Sequence, residues 1–288
     1  WLKLFGPEET ISLCSANNEL PPLTLRVNTL KISRDNIKQK LADAGFDLKE
    51  TPYSHDGLIL NASTVPIQKT DFFARGLVRI QDEAAQLISY LVDSEQSESV
   101  FDACTGTGGK VTHLAAILDN KGLIVAVDRD QGKISELKQE IIRLGINNIE
   151  AQTVDLNVAL PNSFKHKFDC VLVDAPCSGT GTLRRNPEIK WRTRQQDIPA
   201  FAAAQKVILK NASRAVQKGG RIIYCTCSLL PEENENIIND FLKHEKNFSL
   251  ALSTTSMSSR LFDQHGFLHT YPHRHNMDGF FGAVLKYQ

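Results

Sequence analysis

From about residue 96 onward, short apolar runs that close on a small or acidic residue alternate with stretches of helical period. The runs expected to form strands are Ser99–Cys104, Leu123–Asp128, Ile149–Asp155, Phe168–Val173, Gly220–Cys225 and Gly279–Lys286. Between and after them, Lys110–Leu118, Gln131–Leu144, Ile198–Val216 and Glu233–Glu245 carry the three-and-four spacing of helices. Repeated strand–helix alternation predicts an α/β fold built on a doubly wound, mostly parallel sheet. Such a sheet places its ligands at the carboxyl ends of its strands. The segment from Ser178 to Asp197 is long for a connection inside a compact domain, and long loops in such folds are usually functional.

The first part of the chain has a different rhythm. Leu23 to Asn28 alternates like a strand, and Ser33 stands where a helix cap belongs before the apolar positions Ile37, Leu41 and Ala44. Gly45 suits the end of that helix, and Phe46–Glu50 and Gly57–Leu60 read as two further strands. A β-α-β-β order predicts a small α+β domain over 1–92, ferredoxin-like or RRM-like. It lacks the aromatic-rich signature with which RRM modules stack bases. Two roles therefore stay open for it, an RNA contact and a packing lid. Gln81–Val92 has helical spacing and leads into a second domain expected over 93–288.

Composition narrows the class. The 288 residues are 41% apolar and 23% charged, with no apolar run of membrane-spanning length, no internal repeat and no secretory leader pattern. With 33 basic and 33 acidic residues the net charge is zero, so affinity for nucleic acid has to come from a local patch. Cysteines 14, 104, 170, 177, 225 and 227 lack the spacing of a disulfide framework, which predicts reduced thiols in a cytoplasm. The opening Trp1 suggests a trimmed chain preceded by a further domain.

The first strand of the second domain runs into Asp102-Ala-Cys-Thr-Gly-Thr-Gly-Gly-Lys110. Glycines at 106, 108 and 109 allow a tight turn and a close approach to a ligand. The stretch is not a Walker A loop, because Cys104 holds the first glycine position and Val111 follows the lysine. It is not a GxGxxG dinucleotide loop either, since Lys110 and Val111 follow Gly109. Asp128 closes the second strand where a ribose-binding carboxylate belongs, and Asp155 closes the third within reach of an adenine amine. Acidic residues at 102, 128, 155 and 174 thus end four successive strands. As a set they favour an adenosine ligand without a pyrophosphate, which points to S-adenosylmethionine.

The fourth strand delivers Asp174, then Pro176 and Cys177, into a Ser-Gly-Thr-Gly segment. The fifth ends in RIIYCTCS, with Cys225 set back toward the core and Cys227 at the exit. No CxxC pair exists, and His273-Arg-His275 gives no standard zinc spacing, so no metal is expected. Beside a methyl donor, a thiol and a carboxylate suit a pyrimidine. Its C5 carbon becomes nucleophilic once a thiolate adds to C6 while an acid assists at N3, and release then needs a further group. Cys227, Asp174 and Cys177 are the candidates. Arg184, Arg185, Lys190, Arg192 and Arg194, with Trp191 among them, would hold a phosphate backbone and a splayed base.

These motifs resemble the RNA 5-methylcytosine methyltransferases of the NOL1/NOP2/Sun group, and within it the bacterial Sun, RsmB-type 16S rRNA enzymes. RVNTLK (26–31), VRIQDEAAQL (78–87), DACTGTGGK, VDAPCSGTGTLRRNPEIKW, YCTCSLLPEEN (224–234) and DGFF (278–281) carry the resemblance over essentially the whole chain. It implies a Rossmann-like seven-stranded methyltransferase domain behind an RRM-like one. It implies S-adenosylmethionine contacts from Cys104, Thr105, Gly106, Thr107, Gly108, Gly109 and Lys110, and from Asp128, Asp155 and Asp174. It implies Cys227 as nucleophile, Cys177 as the residue assisting release, and 16S rRNA as the substrate of a monomeric enzyme. The family loop usually carries Pro where Thr107 stands, and the Sun enzymes carry a helical NusB-like domain ahead of the part seen here. A tRNA substrate, or an RNA-binding assembly factor without catalysis, are the alternatives.

Overall fold

The computed structural model describes residues 1–63, 65–92, 98–252 and 257–288. The expected boundary between residues 92 and 93 lies at the edge of that description, because 93–97 are outside the described residues.

The chain opens with a helix not anticipated from the pattern, α1 (Leu2–Ala16), whose Gly6 adopts φ 76° at a kink ahead of Pro7. The next elements are β1 (Leu23–Val27), α2 (Arg34–Asp43), β2 (Asp47–Glu50), β3 (Gly57–Ala62), α3 (Asp71–Ala74) and β4 (Val78–Ile80). Their sheet has the order β2-β3-β1-β4 with antiparallel neighbours, the arrangement of a ferredoxin-like domain. Ser33 caps α2, its hydroxyl accepting from the Asn36 amide at 3.4 Å. The helix then lays Ile37 and Leu41 on Leu25, Val27 and Leu58, all fully buried. Each such aliphatic side chain contributes about 1.5–3 kcal/mol by leaving water. The alternating strand β1 buries its other face too: Thr24 and Arg26 are covered because they meet the second part of the chain.

That part begins with α4 (Glu83–Ser89), capped by Asp82, and continues through β5 (Ser99–Asp102), α5 (Gly109–Ile117), β6 (Leu123–Asp128), α6 (Gln131–Leu144), β7 (Ile149–Thr153) and β8 (Phe168–Asp174). It ends with α7 (Ile189–Arg192), α8 (Ile198–Ala212), β9 (Val216–Thr226), α9 (Glu235–His244), β10 (Phe248–Ala251), β11 (Leu268–His269), α10 (Pro272–His275) and β12 (Phe281–Tyr287). The sheet runs β10-β12-β9-β8-β5-β6-β7, parallel from β9 to β7, with β12 antiparallel to β9 and β10. The implied seven strands gain an eighth, because the two residues of β11 pair with β12.

Several boundaries differ from expectation, four of them for local reasons. Helix α8 stops at Ala212 rather than Val216, and β9 starts at Val216, taking up Gly219 (φ 81°) and Gly220 where its register against β8 shifts. The start expected at Glu233 for α9 moves to Glu235, because Pro231–Glu233 forms a 3-10 turn. Strand β7 ends at Thr153, so Asp155 stands two residues beyond it.

Two apolar layers sandwich the sheet. One packs α4 and α5 on Val100, Ile124, Leu172 and Ile223; the other packs α8 and α9 on Phe101, Val171, Ile222 and Phe281. The parallel order reverses at β5, between β8 and β6, and the crevice at the carboxyl ends of these strands is where a ligand belongs.

Candidate active site

Strands β8 and β9 are parallel neighbours, with Asp174 opposite Cys225 in register. The chain leaving each strand crosses the same edge of the sheet, so Cys177 and Cys227, 50 residues apart, meet with sulfurs 3.3 Å from each other. A disulfide would need about 2.05 Å, so this is a contact between two thiols. The Asp174 carboxylate accepts from the Lys110 ammonium at 2.5 Å through one oxygen and from the Cys225 thiol at 3.4 Å through the other. Lys110 itself lies over the Phe280 ring, 5.0 Å from its centroid.

The electrostatics separate these groups. Burial opposes the Lys110 charge, but the Asp174 carboxylate in contact with it outweighs burial and holds the ammonium above its usual range. The hydrogen bond with Cys227, together with burial, pushes the Cys177 thiol well up. Burial next to Asp174 does the same to Cys225. Cys177 and Cys225 therefore keep their protons at neutral pH. Asp102 is buried at the end of β5, and burial together with the Asp174 charge raises it to about 7. It accepts from the Cys104 amide at 3.3 Å and so shapes the turn rather than the cavity.

The glycine turn is tied down by Asp128, whose carboxylate accepts from the Gly106 amide at 3.0 Å and the Asp130 amide at 2.9 Å. Gly108 has φ 89°, a conformation that strains any other residue, and a Cβ there would stand 2.4 Å from a Leu137 methyl. Cys104, Gly106, Asp128, Asp155 and Asp174 line one cavity of about 280 Å³, which Cys177 and Cys227 also border. Asp155 reaches it from beyond β7, its carboxylate accepting from the amide and side chain of Asn157 at 2.9 Å. The other expected cofactor residues do not line this cavity. Thr105 is buried, Gly108 packs on Leu137, and Lys110 turns to Asp174. The Thr107 and Gly109 carbonyls accept from Arg79 at 3.0 Å and from Arg26 at 2.5 Å, so the ferredoxin-like domain holds the back of the turn. A cavity with carboxylates at the ends of two strands and a free approach to Gly106, where an added Cβ would meet nothing within 4 Å, fits an adenosine ligand.

The arginine loop requires a correction. Arg184 is buried, and its guanidinium donates to Asn276 Oδ1 at 2.8 Å and to the Leu20 carbonyl at 2.9 Å. Arg185 bridges Asp82 at 2.6 Å and Asp278 at 2.9 Å, and donates to the Pro22 carbonyl at 2.9 Å. These two arginines fasten the parts of the chain together and are not available to RNA. Lys190, Trp191, Arg192 and Arg194 remain exposed, Trp191 to 85%. The sequence places Glu233 only at the start of a helix and within the YCTCSLLPEEN motif, with no role of its own. It is fully buried beneath both thiol loops.

Among the described residues no group of three or more His, Cys, Asp or Glu side chains could hold a metal ion, and no helix is long and apolar enough to cross a membrane.

Comparison with known proteins agrees with this geometry. Residues 89–286 match the family described as 16S rRNA methyltransferase RsmB/F, and residues 1–68 match the RsmF/B-like ferredoxin-like domain. The chain is 34% identical over 289 residues to the probable ribosomal RNA small subunit methyltransferase B of Bacillus subtilis, covering 99% of this chain and 64% of that protein. It is 33% identical to the human 28S rRNA (cytosine(4447)-C(5))-methyltransferase, covering 99% of this chain and 37% of the relative. The solved structure of a methyltransferase homologue protein from Pyrococcus horikoshii, 29% identical, superposes with a TM-score of 0.85 over 100% of this chain and 93% of the other. The chain thus spans under two thirds of the length of the curated relatives it matches.

Proposed function

The chain belongs to the RsmB/F family of 16S rRNA methyltransferases, and we propose that it transfers a methyl group from S-adenosylmethionine to C5 of a cytosine in small-subunit rRNA through a covalent bond between Cys227 and C6. The observation that carries this reading is the pair of thiols at 3.3 Å on the rim of the cavity that Asp128, Asp155 and Asp174 line. A methyltransferase acting on oxygen or nitrogen needs no thiol there; a C5 enzyme needs one to add and a second group to assist its release.

In this mechanism Asp128, Asp155 and the Gly106 backbone hold the cofactor, which supplies an electrophilic methyl group when bound. Cys227 adds as thiolate to C6, and the C5–C6 electron pair moves to C5 while N3 takes a proton from the Asp174–Lys110 pair, in contact at 2.5 Å. After C5 has taken the methyl group, its hydrogen leaves as a proton to a water molecule entering from the open cavity, and the C5–H electron pair re-forms the C5–C6 double bond. The Cys227 thiolate is expelled and the N3 proton returns to the pair. Cys177, held protonated beside the departing sulfur, assists that release. Lys190, Trp191, Arg192 and Arg194 approach the RNA from the rim, beside a groove of about 910 Å³ that Lys3 and Lys206 also line. Because α4 packs in the core of the second part, the domains divide ahead of Glu83 rather than at residue 92, and the reduced thiols suit a cytoplasmic enzyme.

Transfer of labelled methyl groups to small-subunit rRNA, followed by nucleoside analysis, tests the proposal. The wild-type chain is expected to form 5-methylcytosine and Cys227→Ala to form none. Undiminished 5-methylcytosine from Cys227→Ala would remove the assigned nucleophile.

A further inference from the structure

The two thiol loops share one buried carboxylate. Glu233 has no exposed surface and stands at the end of the Pro231–Glu233 turn, just ahead of α9. One of its oxygens accepts from the Ser178 amide at 2.8 Å and from the Gln205 side-chain nitrogen at 3.0 Å. The other accepts from the Ser178 hydroxyl and the Ser228 hydroxyl, each at 2.5 Å. Ser178 directly follows Cys177, and Ser228 directly follows Cys227. The same Gln205 nitrogen, on α8, also donates to the carbonyl of Pro176, the residue before Cys177 at 3.0 Å. Four donors thus fill the acceptor capacity of one carboxylate.

Burying such a group is costly unless every lone pair is used, and an apolar filler would do the packing without that risk. The arrangement serves a geometric purpose. Strands β8 and β9 fix Asp174 and Cys225, but the sulfurs of Cys177 and Cys227 stand beyond the strand ends, where register no longer holds them. The backbone supplies one further tie, from the Gly181 amide to the Cys227 carbonyl at 2.9 Å. Thr180 adds two more, its hydroxyl 3.2 Å from that of Ser228 and accepting from the Leu229 amide at 3.0 Å, and Asn234 Nδ2 donates to the Ser228 carbonyl at 2.9 Å. Glu233 is the one carboxylate that binds the residues following both cysteines.

We propose that Glu233 is a positioning residue for the methyl transfer, setting the Cys177 sulfur against the Cys227 sulfur through Ser178 and Ser228 so that addition and release occur at one site. The inference rests on the covalent reading above. A carboxylate accepts from all four donors, whereas an amide would turn its NH₂ toward two of them. A reacting group displaced by ~1 Å loses ~100-fold in rate, so Glu233→Gln is expected to lower kcat by ~10–100-fold while leaving KM for S-adenosylmethionine within ~2-fold.

The two arms make opposite predictions, which a merely structural role would not. Ser178→Ala slackens the Cys177 side, so release slows and a covalent RNA–protein adduct accumulates on denaturing gels. Ser228→Ala slackens the Cys227 side, so adduct formation slows and nothing accumulates. These alanine variants keep the carboxylate in place and carry the test if Glu233→Gln does not fold. The experiment runs the full chain and its variants on small-subunit rRNA, scoring adduct, 5-methylcytosine and thermal stability together. Divergent adduct levels in the two serine variants support the inference. Wild-type turnover in Glu233→Gln, or equal loss of adduct and product in both serine variants in step with lost stability, overturns it. A wild-type chain that forms no 5-methylcytosine overturns the functional reading and this inference with it.

Discussion

Replacing Arg185 with alanine separates a structural arginine from an RNA-binding one. In the folded chain its guanidinium lies between Asp82 and Asp278, whose side chains are 6% and 5% exposed. Removing it leaves two buried carboxylates facing each other, with the Asp278 amide still donating to Asp82 at 3.0 Å. Breaking a buried pair from one side costs about 3–5 kcal/mol. At about 2–4 °C per kcal/mol for a chain of this size class, the lower figure already lowers Tm by about 6 °C. The loss also depends on pH. Burial and the Asp82 charge raise Asp278 from 3.8 to about 7 even with Arg185 present. A carboxyl whose folded pKa lies above its unfolded one contributes stability at low pH and loses it as pH rises through the folded value. Without the guanidinium that value rises further, so the deficit of Arg185→Ala is larger at pH 8 than at pH 6. Circular dichroism melts at the two pH values measure it, and RNA affinity measured well below Tm accompanies them. A variant as stable as wild type at pH 8 but impaired in RNA binding would refute the assignment.

Three further outcomes follow from the same geometry. Gly181→Ala would place a Cβ 2.0 Å from the Gly279 carbonyl oxygen and 2.9 Å from that of Cys227, and backbone cannot yield, so methyl transfer is expected to be lost. Activity within twofold of wild type would contradict that packing. Asp128→Asn removes the negative acceptor that holds the Gly106 amide, and a rise of ~10-fold or more in the dissociation constant for S-adenosylmethionine is expected by calorimetry, equivalent to ~1.4 kcal/mol or more. Trp191→Ala, at an exposed position, is expected to weaken RNA binding by ~1–3 kcal/mol while leaving Tm unchanged.

What the chain disclosed about itself depended on distance along it. Strands β5, β6 and β8 were legible because each apolar run is buried on both faces and ends on an aspartate at the sheet edge. The motif around Cys177 and the one around Cys227 were legible as motifs, and neighbouring parallel strands bring them together. Strands β4, β10 and β11 were not, because each exists through its partner strand rather than its own period. Helix α1 hid behind Gly6 and Pro7, a pair that usually ends helices and here marks a kink. The error over Arg184 and Arg185 has the same origin. Their partners Asp82, Asn276 and Asp278 lie more than 90 residues away, and no local pattern distinguishes a paired cation from a solvated one. Glu233 was unreadable for the converse reason, an acidic turn residue turned inward by tertiary structure.

The central claim is that Cys227 bonds to the RNA and Cys177 frees it. The most direct test incubates Cys177→Ala with small-subunit rRNA and S-adenosylmethionine, digests any covalent complex, and maps the modified peptide by mass spectrometry. The expected product is a methylated cytosine attached to the peptide that contains Cys227. A complex carried on another residue, or normal turnover with no complex at all, would contradict it.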